Sequence, residues 1–149
     1  MNIFKFKPLF IAAVTGVTAL FSSCSEETTP TFTINGKIEN AKDKMIYLSN
    51  IGINKITVLD SFKLKEDGAF EFKQPRPESY DFYFLSMKGK APITIAIDST
   101  ETVTLNCNAE KFAEEYTVEG NDESKAIQEL TELQVALESQ VNSMLEAKS

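Results

Sequence analysis

The chain has 149 residues with 15 basic and 22 acidic side chains, a net charge of −7, and neither histidine nor tryptophan. Without histidine, the sequence lacks an imidazole base, the nucleophile pairs that depend on one, and the usual zinc and copper sites. Because nucleic acids are polyanions, this acidic balance disfavours them, and we expect no nucleic-acid partner.

Residues 1–23 have the order of residues found in a secretory signal peptide. Two lysines form a positive head, residues 9–21 form an uncharged apolar run, and small residues at positions 22 and 23 precede Cys24. The run is shorter than the roughly 20 residues of a transmembrane helix, so a signal peptide is favoured over a membrane span. The cysteine directly after the small residues predicts a lipoprotein signal. Cleavage is expected between Ser23 and Cys24, with Cys24 lipidated as the first mature residue.

The chain that remains after this cleavage has 126 residues, of which 13 are basic and 22 acidic. That length suits one domain with an appendage. Residues 24–30 are predicted to be the acylated cysteine and a flexible polar tether. The several acyl chains of a mature lipoprotein make membrane anchoring effectively permanent. The membrane is therefore the first expected partner.

Between residues 31 and 119 apolar and polar residues alternate, which predicts β-strands. The predicted strands start near Thr31, Lys44, Ile56, Phe70, Tyr80, Ile93, Val103 and Tyr116. This number and spacing of strands predicts an all-β domain over residues 31–119, an antiparallel β-sandwich or small barrel of about seven to eight strands.

Residues 56–72 predict a β-hairpin, with the apolar residues at 56, 58, 62 and 64 on one face. The K-E-D-G loop places Gly68 where a hairpin commonly needs a positive φ. Asp60 interrupts the apolar face, so we expect a buried carboxylate hydrogen-bonded by Ser61 or nearby backbone amides, acting as a structural lock. A catalytic carboxylate at Asp60 is the alternative.

Other polar and aromatic candidates have structural interpretations. Cys107 alternates with Val103 and Leu105, which predicts a small buried hydrophobe, and it lacks the C-x-x-C partner of a redox thiol. Asp98 and Glu101 flank a turn, and turn formation explains them better than glycoside hydrolysis. The aromatic residues of the central strand could line a ligand groove, but core positions are expected. These residues are Tyr80, Phe82, Tyr83 and Phe84.

The sequence thus predicts no catalytic residue, no cofactor and no metal site. The acidic segments E-D-G and N-D-E-S lack the alternating ligand spacing of a calcium loop.

Residues 120–149 predict an amphipathic helix capped by Asn121 or Asp122. Apolar residues recur at steps of three and four, at Ile127, Leu130, Leu133, Leu137, Val141 and Met144. An isolated helix of this length would be marginal in water. The apolar stripe is therefore expected to pack on the β-domain, on a second copy in a homodimer, or on an unknown protein partner.

Several segments together resemble a known family. They include I-N-G-K-I-E-N, V-L-D-S-F-K-L-K-E-D-G-A-F-E-F and V-E-G-N-D-E-S. They are similar to domain-of-unknown-function family 4369, a β-domain of Bacteroidetes lipoproteins, over about residues 31–130. In that family the β-domain commonly precedes a helical linker and a thioredoxin-like thiol:disulfide interchange domain.

The resemblance implies a non-catalytic binding or scaffold module of the cell envelope, because no C-x-x-C dithiol occurs in this chain. One alternative is the N-terminal accessory domain of a thioredoxin-like oxidoreductase whose catalytic domain is lacking here. A second alternative is a surface lipoprotein that binds carbohydrate or peptide.

The resemblance also implies a location. Phe21 stands where lipoprotein signals usually have leucine, a departure that the relaxed signals of Bacteroidetes tolerate. The segment Ser25-Glu26-Glu27 is similar to the signal that sends such lipoproteins to the cell surface. We expect an anchor in the outer membrane, with the domain facing either the periplasm or the surface.

Overall fold

The computed structural model describes residues 29–148. The strands are β1 (Thr31–Glu39), β2 (Met45–Ile51), β3 (Ile56–Lys63), β4 (Ala69–Pro75), β5 (Asp81–Met87), β6 (Ile93–Ile97), β7 (Thr102–Asn108) and β8 (Tyr116–Glu119). A 3₁₀ turn at Ala109–Lys111 precedes β8, and the helix α1 (Asp122–Glu146) follows it. The predicted signal peptide, its cleavage position and Cys24 lie outside the described residues.

The eight strands form two four-stranded sheets, in the orders β4-β1-β7-β8 and β3-β2-β5-β6. All neighbouring strands are antiparallel except β1 and β7, which are parallel. The predicted all-β sandwich with one C-terminal helix is confirmed, and the two sheets do not close into a barrel. The fold also confirms β5 as a central strand.

The core lies between the sheets because alternate side chains of each strand point inward. The largest fully buried side chains include Phe32, Ile34, Ile38, Ile46, Leu48, Phe72, Leu85, Ile95 and Phe112. The ring of Phe32 on β1 lies 4.9 Å from that of Tyr83 on β5, centroid to centroid. This contact joins the two sheets.

Residues 56–72 do not form the predicted hairpin. β3 pairs with β2 and β4 pairs with β1, so the loop between them crosses from one sheet to the other. Leu64 is buried in this crossing, and its backbone N–H donates to the Lys44 carbonyl at 2.9 Å. Gly68 has the predicted positive φ, at +68°, and a Cβ there would lie 2.1 Å from the carbonyl oxygen of Ile38. A hairpin and a crossing loop both need such a turn, so the turn residue alone could not distinguish them.

The expectation that the apolar residues at 56, 58, 62 and 64 share one face is wrong. The pairing register of β2 and β3 shifts between Leu48 and Ser49, which pair with Asp60 and Val58. The extra residue is Leu59, and a bulge of one residue turns the following side chains to the other face. Ile56 and Val58 therefore lie on the face opposite to Phe62.

Candidate interaction surface

Asp60 is exposed, so the expectation of a buried carboxylate is wrong. Its register partner Leu48 is in the core, which places Asp60 on the core-facing side of the sheet. Solvent reaches it because β3 is an edge strand. The backbone N–H of Ser61, which is also exposed, donates to Asp60 Oδ1 at 2.7 Å. A charged residue on the inner face of an edge strand discourages pairing with a foreign strand.

The aromatic residues of β5 and the segment before it divide between the core and the surface. Tyr83 is buried, as predicted for all four, but Tyr80 and Phe82 are about half exposed and Phe84 is only partly buried. The Tyr80 hydroxyl donates to Glu123 Oε1 at 2.7 Å, and this hydrogen bond is the main cause that raises the pKa of Tyr80 to about 12. The core expectation is wrong for Tyr80 and Phe82.

The carboxylates of the β6–β7 turn have a local role. The backbone N–H of Asp98 donates to Glu101 Oε1 at 3.0 Å, so the Glu101 side chain ties the two ends of the turn together. The structure does not bring either residue together with Asp60, which lies on the opposite edge of the β3-β2-β5-β6 sheet from β6. The acids singled out from the sequence therefore do not converge on one site.

Cys107 is partly buried and packs against the core. Burial raises the pKa of its thiol to about 12. The thiolate is the reactive form of cysteine, so at neutral pH this residue has little nucleophilic character. Its surroundings agree with the predicted small hydrophobe.

We expect the free energy of unfolding to fall as the pH rises from about 9 towards 12. Burial raises the pKa of the Cys107 thiol to about 12 from 9.0, and burial is also the main cause that raises the pKa of Tyr83 to about 12 from 10.0. The folded chain holds these two protons to higher pH than the unfolded chain does. The stability that the two neutral groups contribute is therefore complete below pH 9 and is lost as the pH rises towards 12. Urea midpoints at pH 8 and pH 10.5 measure the difference.

The variant Cys107→Ala controls this experiment, because it should lose less stability than the unsubstituted chain between the two pH values. A urea midpoint that stays constant or rises at pH 10.5 would contradict the expectation.

The first turns of α1 are fixed to the free edges of both sheets. Asn121 caps the helix by accepting from the Ser124 backbone N–H at 2.8 Å. The buried Ser124 hydroxyl accepts from the Ala96 N–H at 3.0 Å and donates to the Ala96 carbonyl at 3.2 Å. Gln128 Oε1 accepts from the Val118 N–H at 3.1 Å. Because Ala96 and Val118 lie on the edge strands β6 and β8, the helix satisfies backbone groups that each edge would leave unpaired.

The rest of the predicted apolar stripe points away from the sandwich. Each residue turns about 100° around a helix, so Leu137 lies about 140° from Ser124, which faces the strands. Ile127 is partly buried, whereas the next five stripe residues are between 53% and 67% exposed. We call these five residues the helix stripe: Leu130, Leu133, Leu137, Val141 and Met144. Packing of the whole stripe on the chain's own β-domain, one of three expectations, is therefore wrong.

A second apolar surface lies on the side of the β3-β2-β5-β6 sheet that faces away from the core. Ser49 pairs with Val58 on one side and with Phe84 on the other, which puts Val58 and Phe84 on that face together with Ile56 and Phe82. Three of these four are well exposed, Ile56 by 58%, Val58 by 61% and Phe82 by 46%. We call this surface the outer apolar face. Sequence reasoning missed it because the bulge at Leu59 decides which way Ile56 and Val58 point.

Within residues 29–148, no group of three or more histidine, cysteine, aspartate or glutamate side chains is placed to hold a metal ion. In the same part of the chain, no helix has the length and apolar character needed to cross a membrane.

The fold and these surfaces define a β-sandwich domain with a helix docked across its edges and two exposed apolar faces. A family described as "Domain of unknown function (DUF4369)" matches residues 32–127, and the chain belongs to that family. The match spans β1 to the first turns of α1, the part of the chain for which the resemblance was predicted.

The other comparisons are distant. No curated protein matches the chain significantly. Among solved structures, "Crystal structure of (S)-allantoin synthase" is similar at 11% identity with a TM-score of 0.44. The match covers 63% of this chain and 45% of that protein, so the chain spans less than half of its length.

Proposed function

We propose that the protein is a lipid-anchored, non-catalytic binding or scaffold module of the cell envelope, and that α1 carries its main binding surface. One observation carries the proposal: five large apolar side chains remain more than half exposed on a helix whose other side is already fixed to the sandwich. Contiguous exposed apolar surface of this kind marks interaction sites.

The sequence supports anchoring through Cys24. A tether of residues 24–30 reaches at most about 25 Å when fully extended, at roughly 3.5 Å per residue. Because β1 begins at Thr31, this tether would hold the sandwich close to the membrane surface. A partner on the same membrane would then meet α1 at a high effective concentration.

The chemistry of the side chains supports a non-catalytic role. The chain has no histidine, and its thiol at position 107 has a pKa raised by burial. The acids considered from the sequence, Asp60, Asp98 and Glu101, lie on separate elements or serve a turn. None of them combines burial with a nucleophile or a second acid, the arrangement that general acid–base chemistry uses.

The accessory domain of a thioredoxin-like oxidoreductase is the second candidate. It is favoured by the direction of the helix stripe, which faces away from the sandwich and would suit a catalytic domain packed beyond it. A carbohydrate- or peptide-binding surface lipoprotein is the third candidate, favoured by the exposed aromatic rings of Tyr80 and Phe82. A glycan array without saturable binding would count against the sugar form of this third candidate.

The intact mass of the native protein, released from the envelope of its own cells, tests the proposal. We expect a mass equal to residues 24–149 plus the acyl groups on Cys24. A mass that retains residues 1–23 would overturn the lipoprotein assignment. A species larger by a whole domain would favour the accessory-domain candidate.

A further inference from the structure

We propose that the occupant of the helix stripe is a second copy of the chain, paired antiparallel through α1 about a two-fold axis at Leu137. This inference rests on the proposed binding role of α1 and names its partner.

The spacing of the stripe carries the inference. Leu133 and Val141 lie four residues before and after Leu137, and Leu130 and Met144 lie seven residues before and after it. A two-fold interface must be self-complementary, so that if one residue contacts a second, the second contacts the first on the other copy. A parallel pair meets this condition with each residue against its own copy, and an antiparallel pair centred on Leu137 meets it with every stripe residue. Leu137 faces its own copy, Leu133 faces Val141, and Leu130 faces Met144.

The charges of α1 favour the antiparallel direction. Four of the six acids of α1 lie in the first half of the helix, at Asp122, Glu123, Glu129 and Glu132, and Glu138 and Glu146 lie in the second half. A parallel pair would set all six acids level with the same six on the partner. In the antiparallel pair Glu129 and Glu132 lie level with Leu145 and Asn142 of the other copy. Glu138 is the one acid of α1 that stays close to its own copy, about 3 Å away along the axis.

The position of the sandwich leaves room for this partner. The strands contact α1 through Ser124 and Gln128, on the side of the helix away from the stripe. In the antiparallel pair the two docked ends lie near opposite ends of the helix pair, about 30 Å apart along its axis at 1.5 Å per residue. The two β-domains therefore do not compete for the same space.

The stripe from Leu130 to Met144 spans about 21 Å of helix. A helix pair of this length belongs with the smaller specific interfaces, below about 1,200 Å² in total, which are commonly transient. We therefore expect a reversible dimer, best detected by covalent trapping while the chain is anchored in its own envelope.

Single cysteines on α1 test the register. When the thiols in cell envelopes that carry Leu137→Cys are oxidised with a catalyst, most of the chain should be trapped as a disulfide dimer. The reason is that the two copies of residue 137 meet at the two-fold axis. Leu130→Cys alone should not, because its copies lie about 21 Å apart along the axis, far beyond the ~7 Å limit between the Cα atoms of a disulfide. Co-expression of Leu130→Cys and Met144→Cys chains should restore cross-linking between them.

Ser139→Cys is the matched control, since this exposed residue lies about 160° around the helix from Leu137. The unsubstituted chain gives the background from Cys107. Strong self-cross-linking of Leu130→Cys would show a parallel pair, and Leu137→Cys trapped no more than Ser139→Cys would show that copies do not pair. Either result overturns this inference.

The outcomes also separate this inference from the proposed function. If Leu137→Cys is not trapped but Leu137→Glu abolishes capture of a different envelope protein by the intact chain, the binding role of α1 stands and the homodimer fails. If the intact mass lacks acyl groups but the predicted trapping pattern appears, the anchor fails and the homodimer stands.

Discussion

Replacing Gly36 with alanine should strongly destabilise the fold, although it exchanges only one hydrogen for a methyl group. Gly36 lies in β1 between β4 and β7, and it pairs with Phe70 on one side and Leu105 on the other. A Cβ at Gly36 would lie 1.7 Å from the carbonyl oxygen of Leu105. This oxygen belongs to the backbone of a buried strand, so it cannot move without separating β7 from β1.

We expect Gly36→Ala to lower the free energy of unfolding by about 4 kcal/mol or more. Single substitutions reach losses of this size only through a few mechanisms, of which overpacking of the interior is one. This is a large fraction of the ~5–15 kcal/mol that stabilises a typical domain. Urea unfolding followed by circular dichroism measures the change.

Gly89→Ala is the matched control for Gly36→Ala. Gly89 has φ +77°, and no heavy atom lies within 4 Å of a Cβ added there. Its replacement should cost about 1 kcal/mol from the left-handed backbone conformation alone. If the two alanine variants lose the same stability, the contact with Leu105 is not what requires glycine in β1.

The sequence was sufficient to predict the β-sandwich class and the approximate position of each strand, because alternation of apolar and polar residues is a local property of a strand. It was not sufficient to predict which strands pair. The K-E-D-G loop has the composition of a hairpin turn, yet it carries the chain across to the other sheet. The crossing follows from the pairing of β4 with β1, two strands that are distant in sequence, and the local sequence pattern contains no information on that pairing.

The candidate interaction surface, too, could be predicted from the sequence only in part. The stripe of α1 was predictable from its spacing, and Asn121 from its capping chemistry. That Ser124 would bond both backbone groups of Ala96 was not, since a buried serine in the first turn has no distinctive sequence signal. The prediction that Asp60 is buried was wrong for a related reason. Its position on an edge strand depends on the order of the sheet, which the sequence of β3 does not contain.

Phe32→Ala should give the second large loss of stability. Phe32 is fully buried on β1, and its ring packs 4.9 Å from that of Tyr83 on the opposite sheet. Truncation removes the buried ring and leaves a cavity between the two sheets, which the surrounding core side chains can fill only in part. We expect a decrease of about 3–5 kcal/mol in the free energy of unfolding, the range measured for Phe→Ala in closed cores. Thermal and urea unfolding both measure it.

Phe82→Ala makes the same change on the outer face of the sheet that carries Tyr83, at the neighbouring position in sequence. Phe82 is 46% exposed on the outer apolar face, so its removal opens no closed cavity and should cost less than about 1 kcal/mol. Equal losses for Phe32→Ala and Phe82→Ala would contradict the assignment of the two faces. Because Phe82→Ala should keep the fold intact, it also isolates binding at the outer apolar face. A ligand or partner that is lost with Phe82→Ala but retained with Leu137→Glu would bind the sheet and not the helix.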